Sequence, residues 1–389
     1  MKTTPQELLP AGAVRPLVAG IAVGVIGFVV ALVNNPPDAW AALLCSAFLF
    51  LTISLGAVVF LCLGHVSGAG WHIVVKRVAE ALGGWLPFGA ASMLVLFLGV
   101  SSLYHWADHG HGPPDPILEA KSAWLNVPFF VGRGVAVLLV WILLVRALRR
   151  ASQQQDQDGS LTHTRRSVAL AAVFLVVIGV TFSMASFDWL MSLEPHWYST
   201  IFGFYNITGL LTAGVAGIIV VSVHVHQRGL LPQLNENHLH DLGKYLFAFS
   251  TLWAYHWLSQ FLLIWYADMP EETVAYSVRL GGGWAFLFWL NIIAGWAIPF
   301  LVLLPRAAKR SAGHLFRVAL WMLAARWLDI YMQIAPSTGA LHRGINVADV
   351  LVLIGFTCAF LLVLFRNLGS APLLAKRDPY MIESLHHQV

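Results

Sequence analysis

Few side chains in this sequence could do chemistry, and most of them stand in apolar stretches, where a charge is costly. Arg133 lies in Pro128-Phe129-Phe130-Val131-Gly132-Arg133-Gly134, too deep in its run to reach water easily. A fixed positive charge there orients a carboxylate or tunes a proton path; equally, it ties two helices together as a structural ion pair. Asp188, in Ser186-Phe187-Asp188-Trp189, has no basic neighbour in sequence. A carboxyl at such depth suits proton uptake and release. Asp329, in Arg326-Trp327-Leu328-Asp329, follows an arginine by three positions. On a helix these two share a face, and their simplest role is a pair that admits both charges to apolar surroundings.

Two further groups stand out. The run Trp253-Ala254-Tyr255-His256-Trp257-Leu258-Ser259-Gln260 spaces His256 and Gln260 at i, i+4, with Trp253 beside them. An imidazole, an amide and an indole on one face could hydrogen-bond a quinone carbonyl or relay protons; a satisfied buried histidine among interfacial tryptophans reads equally well. Glu194, His196 and Tyr198 precede the next apolar run. They either dock a partner or are simply hydrated.

Other chemistry has no residues to carry it. Cys45, Cys62 and Cys358 are scattered, whereas an iron–sulfur cluster takes four thiolates. Of the 16 histidines only His256 lies deep in an apolar run, which does not supply paired axial ligands for haem. No phosphate loop, nucleophile elbow or zinc-ligand spacing occurs. The expectation is a chain with no cofactor and no metal of its own. Its net charge of +4 needs no nucleic acid to explain it.

What must position these groups is a membrane bundle. Of the 389 residues, 58 % are hydrophobic and 11 % charged, against about 25 % charged in a soluble domain. Mean hydropathy is +0.72. A span takes about 20 apolar residues, and ten such runs lie near 17–34, 40–64, 84–105, 123–147, 167–190, 199–224, 244–267, 278–304, 314–333 and 347–367. The runs are continuous rather than alternating, which excludes a β-barrel. The fold expected is an all-α polytopic membrane protein in one integral domain, 1–389.

Lys and Arg give the orientation. With the N-terminus in the cytoplasm, the outer segments hold only Lys121, Arg279 and Arg343, and Arg133 and Arg326 fall inside spans. Lys76, Arg77 and nearly all the others are then inside, so both termini are cytoplasmic. No small-residue cleavage site follows the first run, which is expected to remain as an anchor. The inner stretch 148–166 reads as a solvated, mobile loop. Gly20 and Gly24 read as a close helix contact.

An internal repeat is visible. Ala107-Asp108 and Ala267-Asp268 end the third and seventh runs; Trp124-Leu125-Asn126 and Trp289-Leu290-Asn291 lie in the fourth and eighth. Asp-x2-Met-x3-Pro recurs as Asp188, Met191, Pro195 and as Asp329, Met332, Pro336. Three matches in one order suggest two four-helix units in the same orientation, 40–190 and 199–333, with the first and tenth helices peripheral.

Several segments carry a resemblance. They are Ser192 to Gly203 (SLEPHWYSTIFG), Asp241-Leu242-Gly243-Lys244 through Trp253-Ala254-Tyr255 to Ser259–Ala267 (SQFLLIWYA), Arg326–Asp329, and the tail Glu383-Ser384-Leu385-His386-His387. Together they resemble the F subunits of bacterial alternative complex III, within the NrfD-like (polysulfide-reductase) membrane-anchor superfamily. The resemblance covers nearly the whole chain after the first helix. It implies ten helices in two four-helix bundles, and a bacterial inner-membrane subunit of a quinol:cytochrome c (electron-acceptor) oxidoreductase. It implies as partners a related ten-helix subunit, a periplasmic iron–sulfur/molybdopterin-like protein, multihaem cytochromes c, small membrane subunits and, as a further candidate, a terminal oxidase, all among lipids. Haem c and iron–sulfur clusters then belong to the partners, menaquinone or another quinol is the substrate of the complex, and quinol is oxidised in the sister subunit. This chain supplies scaffold and a candidate proton path through Asp188, Arg133, His256, Asp329 and Arg326.

Two alternatives stand beside that reading. A quinone-binding subunit in its own right would use Trp253, His256 and Gln260. A secondary transporter also has repeats and intramembrane charges, but its helices are broken at matching places. Pro128 and Pro299 do not align when the Trp-Leu-Asn motifs are superposed.

Overall fold

The computed structural model describes residues 11–107, 115–338 and 344–388. Asp108, His109, His111 and Arg343 lie outside the described residues. Every regular element among the described residues is helical. The long helices are α1 (Ala11–Asn34), α2 (Pro36–Ser67), α3 (Ile73–Leu103), α4 (Val127–Asp158), α5 (Leu161–Trp189), α6 (Phe202–Gln227), α7 (Glu236–Ala267), α8 (Trp284–Leu303), α9 (Ala312–Ile334) and α10 (Val347–Leu368). Eight of these are long and apolar enough to cross a membrane; α7 and α9 are as long but fall short in apolarity. The shortfall has a plain origin. α9 contains Arg326 and Asp329, and α7 carries Trp253, Tyr255, His256, Trp257, Ser259 and Gln260 within its apolar stretch.

The middle of the molecule is the crossing of α2 and α6. Both are apolar on all sides, and nearly every residue of α2 from Ala39 to Cys62 is buried. A helix with no polar face must be wrapped by others. α2 is wrapped by α3, α5, α9 and α10, and α6 by α5, α7 and α9, while α4 lies on α5 and α1 lies on α10. Glycines set how closely the axes approach. A Cβ on Gly214 would overlap the backbone of Gly56, and a Cβ on Gly24 would meet the backbone of Gly355 in α10. α8 carries a π-turn at Ile293–Ala297, just before Pro299. A proline removes a backbone donor and crowds the preceding turn, and the helix widens there.

The end that carries Gly159 and the C-terminal tail departs from the sequence reading in two places. Residues 148–166 are not a loop: α4 runs on to Asp158, and α5 starts at Leu161. Only Gly159, at a left-handed φ of 71°, and Ser160 turn the chain. The charges and glutamines there favour helix and solvent at once, and the helix projects past the apolar zone. Likewise, α3 begins at Ile73 rather than near 84, so Lys76 and Arg77 are helical and buried. Lys76 Nζ lies 2.8 Å from Asp378, while Arg77 pairs with Glu80 at 2.5 Å and with Asp156.

The covering segment is the C-terminal tail. Glu383 accepts from the Gly70 amide at 3.0 Å. Ser384 Oγ accepts from Val74 N at 3.1 Å and donates to Trp71 O at 2.7 Å. His387 Nε2 is 2.6 Å from Asp241. His238 donates from Nε2 to Ser384 O at 3.0 Å and accepts on Nδ1 from the Asn235 amide. Protonating Nδ1 would break the second bond. Burial, with His387 nearby, pushes its pKa down to about 4. His72 is pushed down to about 3 by burial and then by His65 and Lys76.

Two expectations follow from this packing. Gly214→Val forces α6 away from α2 and lowers stability by about 2–3 kcal/mol. Gly132→Ala, with nothing within 4 Å of the added Cβ, stays within about 0.5 kcal/mol of the parent in thermal melts in detergent. The second concerns pH. His72 and His238 have folded pKa values below the unfolded 6.5, so on acidification the unfolded chain takes up protons that the folded chain refuses. Stability is complete above about pH 6.5 and falls as pH drops toward the folded values. Melting temperature should decline between about pH 6.5 and pH 4.5, before most carboxylates titrate, and His72→Leu should flatten that slope. A flat profile in the parent chain would contradict this account.

Candidate functional site

The end carrying residues 104–107, 115–125, 190–201 and 268–283 is the outer end on the charge reading, and it holds two buried carboxylate clusters. In the first, Asp188 on the last turn of α5 faces Arg133 of α4. Arg133 Nε donates to Asp188 Oδ2 at 2.9 Å and Nη2 to Oδ1 at 3.0 Å. The pair is bidentate, the strongest form of such a contact. Trp124 Nε1 donates to Oδ1 at 2.9 Å, and the Trp124 carbonyl accepts from Arg133 Nη1 at 3.1 Å. The guanidinium lies against the rings of Trp124 and Phe129, 4.0 and 4.2 Å from their centroids. The two charged side chains are only 8 % and 6 % exposed.

In the second cluster, Asp329 on α9 is the hub. Arg326 Nη1 lies 2.7 Å from Oδ2. Tyr205 of α6 donates to Oδ1, as does Asn291 of α8 at 2.9 Å; Gln333, one turn on, donates to Oδ2 at 2.9 Å. Arg326 packs on Gly209, where a Cβ would strike the guanidinium, and its Cζ is 5.7 Å from the Trp253 ring. Two helices besides α9 therefore converge on one carboxylate.

The α7 face divides into buried and half-buried residues. Its buried stripe is Leu246, Ser250, Trp253, Trp257, Gln260 and Ile264. Trp253 and Gln260 look toward the Asp329 cluster, and Gln260 lines a small cavity with Asp329. His256 lies on the flank of that stripe, stacked on the exposed Phe204. The i, i+4 spacing sets His256 half-buried at the edge of the stripe, while Trp253 and Gln260 lie within it.

The outer loop residues divide as well. Glu194 is tied within the chain, 2.9 Å from Arg279 and accepting from Ser337 Oγ at 2.5 Å. His196 is half exposed and 2.5 Å from Asp115, and Tyr198 is 61 % exposed. Three spaces meet here: a cavity of about 60 Å³ beside Asp329, one of about 330 Å³ beside Asp188, and an open groove of about 860 Å³ over the outer end. Trp197 lines all three.

The sequence reading missed Tyr205, Gln333 and the part played by the Trp-Leu-Asn motif. That motif serves both carboxylates through different members. Trp124 reaches Asp188, whereas Asn291 reaches Asp329. The first copy precedes α4, with Asn126 as its N-cap, while the second lies inside α8. The signal for Gln333 was its i+4 spacing from Asp329. Among the described residues no group of three His, Cys, Asp or Glu is arranged to hold a metal ion. Comparison with known protein-family models finds no match to the chain, and comparison with curated proteins finds none.

The first cluster makes a sharp stability prediction. Removing one partner of a buried pair strands the other charge and costs about 3–5 kcal/mol. Arg133→Met and Asp188→Leu should each destabilise by that order, and the double variant by less than either. Thermal unfolding of all four chains closes the cycle; effects that simply add would contradict the pairing.

Proposed function

We propose that the chain is a ten-span membrane subunit of a quinol:electron-acceptor oxidoreductase of the alternative complex III type, giving scaffold and a proton path beside quinol chemistry carried by its partners. The observation that carries the reading is the pair of buried carboxylate clusters at corresponding places, Arg133–Asp188 and Arg326–Asp329, opening on spaces that share Trp197. The resembling stretch Ser192–Gly203 contributes that tryptophan. In this reading α7 and α9 also cross the membrane. Their packing along α6 supports it, since their polar groups are turned to other helices rather than to lipid. The two four-helix units are 40–190 and 199–333, and both termini are cytoplasmic in a bacterial inner membrane.

The division of labour follows from the surroundings. Asp188 and Asp329 hold and exchange protons, and Arg133 and Arg326 pair with them. His256, on the flank of α7, is set aside from this path. Trp253 and Gln260 border the Asp329 cluster and are the remaining quinone-facing candidates, the reading in which the chain binds quinone itself. His196 and Tyr198, on the exposed outer loop, are the docking candidates for periplasmic partners.

Gentle purification of the tagged chain from native membranes is expected to bring multihaem cytochromes and an iron–sulfur protein in fixed ratio. In the complex rebuilt in vesicles, Asp188→Asn keeps an acceptor for Arg133 and Trp124 but cannot ionise. Protons moved per electron should fall, counted per assembled complex. A haem-free homo-oligomer would overturn the assignment to this class of complex, and an unchanged ratio would overturn the proton path.

A further inference from the structure

The cavity beside Asp329 is walled by Gln260, Tyr276, Asn291 and Gln333 on one side and by Arg279 toward the outer end. Two polar atoms on its wall, Asn291 Oδ1 and Gln333 Oε1, are buried and have no hydrogen-bond partner among the described residues. Both amides spend their N–H donors on Asp329, which fixes which way they face. Each is left with an acceptor aimed away from every protein donor. A buried acceptor in that state is costly, and a space of about 60 Å³ with two such acceptors on its wall is several times what one water molecule requires.

The outer groove ends against the same wall. It shares Trp197 and Ala275 with the cavity, and the residues between the two spaces are Glu194 and Arg279. Arg279 is held at five points. It donates to Ala275 O at 2.6 Å, Met332 O at 3.1 Å, Gln333 O at 3.4 Å and Ser337 Oγ at 3.1 Å, and it pairs with Glu194 at 2.9 Å. Ser337 also donates to Glu194, so one hydroxyl braces both charges.

We propose that this cavity is a bound-water site serving Asp329, and that the Glu194–Arg279 pair is the barrier separating it from the outer groove. Water in the cavity donates to Asn291 Oδ1 and Gln333 Oε1 and reaches the Asp329 carboxylate. A proton leaving Asp329 then has hydrogen-bonded carriers as far as Arg279, and the closed Glu194–Arg279 pair blocks the passage of water beyond it. Loosening Glu194 opens the way outward. The proposal deepens the proton-path reading of Asp329 and rests on it for its purpose, but the water site and the barrier can be tested without it.

The test is hydroxyl-radical footprinting with mass spectrometry on the intact complex in native membranes, because radicals formed from bound water oxidise the side chains beside it. Met332 and Tyr276 line the cavity; Met322, fully buried on the same helix, and Met93 are the dry controls. Met332 is expected to be oxidised at least tenfold faster than Met322, and Glu194→Gln to raise the Met332 rate severalfold further. Should Glu194→Gln fail to assemble, Ser337→Ala removes the shared brace with less disturbance and should raise the rate in the same direction. A Met332 as inert as Met322 overturns the water site. A wet Met332 whose rate neither variant changes overturns the barrier. A wet, gated cavity in a complex whose proton ratio ignores Asp329→Asn leaves both standing and removes only the proton-path reading.

Discussion

A charge carried into hydrocarbon has to bring its partner with it. That constraint shapes the outer half of this molecule. Arg133 is satisfied by both oxygens of Asp188 and by the Trp124 carbonyl, and its flat faces are covered by two rings. Asp329 is satisfied from three directions, and those directions fix how α6, α8 and α9 are rotated against one another. In an apolar core, where any two leucines pack about as well as any other two, directional contacts of this kind specify one arrangement of helices.

The two clusters are built differently on related plans. The first is a closed pair, with each charge fully answered by the other. The second is open: Arg326 touches Asp329 in charge, yet its N–H groups make no hydrogen bonds among the described residues. The carboxylate instead takes its hydrogen bonds from neutral groups. The first cluster ties α4 to α5, and the second ties α6 and α8 to α9.

The sequence disclosed the apolar helices almost whole, because their length and continuity are set by the membrane alone. It also disclosed Asp188, Asp329 and the Arg326 pair. It did not disclose that Arg133 meets Asp188, since spacing along one helix says nothing about its rotation against another. His256 illustrates the same limit: the periodicity was sound, but only the packing of α7 on α6 decides which side of the stripe is buried. At the inner end, Lys76, Arg77 and Gln155 look like solvated residues in any linear reading. Lys76 is buried because the tail, 302 positions later, sets Asp378 against it, while Arg77 is covered by Glu80, Ser152 and Asp156 and Gln155 bonds Thr164 of α5. Such long-range cover leaves no local mark, apart from the tail residues Glu383, Ser384 and His387, which the resemblance had picked out.

The central claim is that Asp329 changes protonation when the complex turns over. Redox-triggered infrared difference spectroscopy on the purified complex tests it directly, in the region where protonated carboxyl groups absorb. The account predicts a band that appears on turnover, shifts in heavy water and is lost in Asp329→Asn. A difference spectrum with no carboxyl band that depends on Asp329 would contradict it.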